Sequence, residues 1–128
     1  MSQYSAIVME HFLDPRNVGE LDSPDGVGQA GNAADGDTVT MQVAVDEGGV
    51  ISEVKMQVFG CAAAIASASM TTELARGMTI RRAQELTREQ VADALGGLPP
   101  QKMECSNIGP DALHEAITEY LAGGGPDV

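Results

Sequence analysis

The residues with the most chemistry to offer are two cysteines and a group of carboxylates, carried by three short segments. Cys61 stands in Phe59-Gly60-Cys61-Ala62-Ala63-Ala64, Cys105 in Lys102-Met103-Glu104-Cys105-Ser106, and Asp35 and Asp37 in Gly31-Asn32-Ala33-Ala34-Asp35-Gly36-Asp37. Two thiols from separate segments are the minimum for a thiolate metal site, and the same pair could equally form a reversible disulfide. Gly60 suggests a sharp strand-to-helix turn that exposes Cys61, and a thiol in the first turn of a helix meets free N–H groups and a partial positive charge that favour the thiolate. Read differently, Cys61 is a small hydrophobe buried among alanines. Cys105 alone would pass for a structural residue, but Glu104 beside it and Cys61 elsewhere make it a metal-ligand candidate. Asp35-Gly36-Asp37 also reads as ordinary turn chemistry before a strand.

The elements that must position these residues follow from periodicity. Tyr4, Ile7, Val8, His11 and Phe12 recur at helical spacing between Ser2 and Leu13, and Asp14-Pro15 ends that pattern because the residue before proline disfavours helix. Residues 14–36 are rich in turn formers, which predicts a long loop with one short strand near Val27 to Ala30. Val39, Met41, Val43 and Val45 alternate, as do Val54, Met56 and Val58, with Asp46-Glu47-Gly48-Gly49 between them. That pattern is an antiparallel hairpin with one face to hide. Ala62 to Arg76 predicts a central buried helix stopped by Gly77, and Thr79 to Leu86 and Arg88 to Leu95 predict two short ones. Thr87-Arg88-Glu89-Gln90 is a capping-box signature for the second of these. Pro110 suits a first helical position, and Leu113, Ile117, Tyr120 and Leu121 carry a last helix to Gly123, with 123–128 as a frayed tail.

The expected fold class is therefore α+β: a small antiparallel sheet of about three strands with helices packed on one face, in a single domain spanning residues 1–128. Asp35 then precedes a hairpin strand, Cys61 follows the other strand, and Cys105 precedes the last helix, so the three segments can converge at one edge.

Composition excludes several functions. Seven Lys and Arg against nineteen Asp and Glu leave a net charge of −12, which repels phosphate backbones and anionic lipids but attracts cations and basic protein surfaces. Nucleic acid and membrane are not expected partners, and no apolar run approaches the roughly 18 residues that a membrane span needs. Two cysteines and no basic-then-apolar leader point to a cytoplasmic protein with reduced thiols. His11 and His114 read as surface or packing residues, and the methionines as core filler. No phosphate-binding loop or Ser-His-Asp order is present.

The chain resembles the iron-sulfur cluster assembly scaffolds, the family of IscU and the N-terminal part of NifU. The likeness is carried by His11-Phe12-Leu13-Asp14-Pro15-Arg16-Asn17-Val18-Gly19, by Phe59-Gly60-Cys61 with Ile65-Ala66-Ser67-Ala68-Ser69, and by Leu98-Pro99-Pro100-Gln101-Lys102-Met103-Glu104-Cys105. It implies a SufE/NifU-like fold and a scaffold, not an enzyme, that holds a two-iron two-sulfide cluster, with zinc or ferrous iron as the alternative occupant. The implied ligands are Asp37, Cys61 and Cys105, with Asp35 where the family's first cysteine stands and Glu104 where many members carry histidine. Implied partners are a cysteine desulfurase, with Cys105 the persulfide acceptor, and acceptor apo-proteins. An Hsp70-type chaperone is implied at Leu98 to Lys102, where Gln101 replaces the family's valine; a zinc-binding sulfur acceptor and a family member acting only through its partners are the alternatives. Hard oxygens in place of a thiolate and an imidazole shift preference from iron-sulfide chemistry toward ferrous, manganous or zinc ions.

Overall fold

The computed structural model describes residues 4–32 and 36–125. Three strands, β1 (Gly26–Asn32), β2 (Asp37–Val45) and β3 (Ile51–Phe59), form an antiparallel sheet in the order β1-β2-β3. Around it run α1 (Ala6–Leu13), α2 (Ala62–Ala75), α3 (Ile80–Gln84), α4 (Arg88–Ala94), a 3-10 helix (Pro100–Asn107) and α5 (Ile108–Ala122). The α+β class and the three-stranded sheet agree with the sequence reading.

Alternation decides which face of the hairpin is hidden. Val39, Met41 and Val43 of β2 are buried, and the register sets Met41 opposite Met56 and Val43 opposite Val54, both also buried. Asp46 closes the turn by accepting the N–H groups of Gly48 and Val50 on Oδ1. Helix α5 covers β1 and β2, while α2 covers β3. Glycine makes the first contact possible, since a Cβ at Gly28 would lie 2.2 Å from the Ala112 carbonyl oxygen. The strand there runs over residues 26–32, longer than the short strand expected, because backbone pairing to β2 needs no side chain on this glycine-rich stretch.

Helix α2 is buried nearly all round through small residues, including Ala64, Ala66, Ser67, Ala68, Ser69 and Thr71, which lets α1 and α5 approach it closely. Helix α1 starts on Ser5, whose hydroxyl accepts the Val8 N–H at 3.1 Å and donates to the Leu95 carbonyl. His11 is a packing residue: buried, with Nδ1 2.7 Å from Ser69 Oγ, which also accepts the Arg16 N–H at 2.9 Å. Helix α4 carries the expected capping box between Thr87 and Gln90.

Two expectations need correction, for Cys61 and Pro110, and two segments take shapes the sequence did not specify. Cys61 is the N-cap of α2, with extended backbone, and does not lie within its first turn. Glu104 and Cys105 lie in the 3-10 helix, which Lys102 N–H begins by bonding the Pro99 carbonyl at 2.8 Å and which runs directly into α5. The Leu98 to Lys102 segment thus enters the 3-10 helix at Pro100. Pro110 is the third residue of α5, tolerated because the first-turn N–H groups have no intrahelical acceptors.

Candidate metal centre

Strand register brings the first two site residues together. Thr38 pairs with Phe59, so the start of β2 lies beside the end of β3 and Asp37 faces the turn that leads into α2. The Cys61 N–H donates to Asp37 Oδ1 at 3.1 Å. Gly60 makes that approach possible, because a Cβ there would sit 2.5 Å from the same oxygen. Asp37 therefore takes one of the free N–H groups at the start of α2, where negative charge is favoured.

The third residue comes from the 3-10 helix. Ser106, fully buried, donates to the Met103 carbonyl at 2.5 Å and pins the turn that presents Cys105. The two sulfur atoms lie 3.6 Å apart, and ligand atoms of Asp37, Cys61 and Cys105 all fall within 4.8 Å of one another. Both cysteines are free and half-buried. The sulfur separation is that of two reduced thiols in contact, which can share an ion. Two thiolates on one tetrahedral ion, with bonds of ~2.3 Å, stand about 3.8 Å apart, whereas a disulfide would draw the sulfurs to ~2.05 Å. The observed spacing fits two ligands of one ion.

Burial pushes the Cys105 thiol up to about 11, reinforced by the hydrogen bond to Cys61 and by the charges of Cys61 and Asp37, and opposed by Lys102. Cys105 is thus a thiol at neutral pH, and an ion must displace its proton to bind it. Two cavities flank the cluster. One, of about 380 Å³, is lined by Asp37, Gly60, Cys61, Lys102, Glu104 and Cys105. The other, of about 370 Å³, shares Asp37, Glu104 and Cys105 but adds Gly31, Arg88, Asn107 and Asp111.

Of the residues expected at the site, Asp37, Cys61 and Cys105 are brought together. Glu104 is exposed and lines both cavities, but its carboxylate is not part of the close three-residue group. Asp35 lies outside the described residues. Sequence reasoning missed Arg88, Asn107 and Asp111. Arg88 opens α4 as an ordinary surface residue, and only the fold of the 3-10 helix against α4 brings it to the cavity that Cys105 also lines.

Residues 3–124 match the family model described as the NifU-like N terminal domain. The chain is 52% identical over 122 residues to a protein of Archaeoglobus fulgidus named iron-sulfur cluster assembly scaffold protein IscU 1, covering 95% of this chain and 79% of that one. It is 41% identical over 120 residues to the Azotobacter vinelandii protein named iron-sulfur cluster assembly scaffold protein IscU, covering 91% and 93%. A crystal structure of a NifU-like N-terminal protein from Brucella abortus superposes with a TM-score of 0.72 at 20% identity, covering 94% of this chain and 95% of that one, and so shares the fold.

Proposed function

Because this chain belongs to the NifU-like N-terminal domain family, we propose that it is a scaffold on which an iron-sulfur cluster is assembled and from which it passes to acceptor proteins. The observation that carries the reading is the convergence of Asp37, Cys61 and Cys105, with the sulfurs spaced for one tetrahedral centre. The cluster is cargo, bound and released, with iron held by the two thiolates and the Asp37 carboxylate. Asp35 or Glu104 would supply a fourth, oxygen ligand when no outside molecule takes that position. Zinc or ferrous iron suits the same donors when no sulfide is present.

Sulfur would arrive from a cysteine desulfurase. The Cys105 thiolate attacks the outer sulfur of the donor's persulfide, the donor's S–S bond breaks, and the donor leaves as a thiolate, so no electrons are gained or lost overall. Because burial holds Cys105 protonated, the transfer needs positive charge nearby; Lys102 supplies some, and a bound ion or a basic donor surface supplies the rest. The acidic surface of the chain suits such a donor. No small substrate is turned over in this reading. Among the described residues, no helix is long and apolar enough to cross a membrane.

Anaerobic titration with zinc or ferrous iron tests the site. One ion per chain is expected, with affinity rising as pH rises because binding releases the Cys105 proton, and with Cys61→Ser and Cys105→Ser each weakening it by at least about tenfold. Unchanged affinity in both variants would place the ion elsewhere.

A further inference from the structure

The chain has two cysteines, and both stand in the cluster with Asp37. A third sulfur ligand on this ion therefore comes from outside these 128 residues. Three protein ligands leave a tetrahedral ion one open position, and the cavity of about 370 Å³ beside Asp37 and Cys105 is where a ligand could approach it. Cys61 lines only the other cavity, so this space meets the cluster from the side of Asp37 and Cys105.

The lining has a distinctive charge pattern. Arg88 contributes one cation, and Asp37, Glu104 and Asp111 contribute carboxylates. A simple anion would meet three carboxylates, and a simple cation would meet the guanidinium. A molecule carrying both a carboxylate and an ammonium group satisfies the set. Arg88 Nε is bonded to Glu89 at 2.7 Å, which leaves the η nitrogens of the guanidinium fork for a ligand carboxylate. Asp111 and Glu104 can accept from the ammonium group.

We propose that this cavity binds a free α-amino acid thiol, cysteine or a close analogue, whose sulfur becomes the third thiolate on the ion held by Asp37, Cys61 and Cys105. The thiol gives its proton to solvent and its sulfur donates a lone pair to the ion, with no change of oxidation state. Arg88 and Asp111 are the specificity residues, reading the carboxylate and the ammonium group. The inference rests on the metal reading of the site.

The test uses cobalt(II) as the ion, anaerobically, and follows the thiolate-to-cobalt absorption. Adding L-cysteine to the cobalt-loaded protein intensifies that band. Cysteamine, which lacks the carboxylate, and 3-mercaptopropionate, which lacks the ammonium group, each bind about tenfold more weakly. Arg88→Gln costs cysteine about tenfold and leaves cysteamine unchanged, while Asp111→Asn costs cysteine a similar factor and leaves 3-mercaptopropionate unchanged. Equal binding of all three thiols, unchanged cysteine affinity in both variants, or removal of cobalt from the protein by cysteine overturns the proposal alone. Absence of any thiolate-to-cobalt band before cysteine is added overturns the metal reading and the proposal with it.

Discussion

At the scale of single residues, the site depends on a missing side chain. Gly60 lets Asp37 reach the Cys61 amide, and any Cβ there would collide with the carboxylate that takes the N–H bond. Gly60→Ala should therefore weaken metal binding by about 10 to 100-fold through displacement of Asp37, and lower the melting temperature by much less than a core substitution does. Equal affinity in the variant, measured by competition with a chromogenic chelator, would show that Asp37 is not a ligand. This contact was half legible in the sequence. Gly60 before Cys61 announced a tight turn, and Asp37 was named as a ligand by family resemblance, but that the two touch follows from a strand register that no local signal encodes. Glu104 is a ligand candidate by the same resemblance, at a position where many members carry histidine. A 3-10 helix turns neighbouring side chains in different directions, so adjacency in sequence did not carry it into the close group.

At the scale of elements, the hairpin and α2 were readable because two-residue alternation and a run of small residues are local patterns. The 3-10 helix was not, since its sequence lacks a regular apolar repeat and its shape comes from Pro99 and Pro100 at one end and buried Ser106 at the other. The buried pairing of α1 with α2 has a consequence for pH. Burial lowers the His11 pKa, the nearby Arg16 charge lowers it further, and Glu10 and Glu73 oppose both. A histidine depressed in the fold contributes stability that is fully present above its unfolded value of about 6.5 and is lost as pH falls through its folded value. The melting temperature should therefore drop on acidification below pH about 6.5, and His11→Gln, which keeps a polar partner for Ser69, should flatten that drop. An identical pH profile in the variant would mean that His11 does not drive it.

At the scale of the whole molecule, a three-stranded sheet and two covering helices serve to bring the ends of separate segments to one edge. Asp37 starts one strand, Cys61 ends the path from the next, and Cys105 rides on the turn before α5. None of the three residues is exceptional alone; their distances are the product of register and helix packing. A net charge of −12 surrounds this edge with a field that favours metal ions and basic protein surfaces. Two thiolates and carboxylates at this edge are expected to suffice for building a cluster. Anaerobic incubation with ferrous iron, cysteine, a cysteine desulfurase and dithiothreitol, which reduces the transferred sulfur to sulfide, followed by absorption spectroscopy and iron and sulfide analysis, measures cluster formation. The expected result is visible cluster absorption with iron and sulfide in equal amounts, lost in Cys61→Ser and in Cys105→Ser. Protein that emerges without sulfide, whether or not it holds an ion, would show that these residues do not build a cluster.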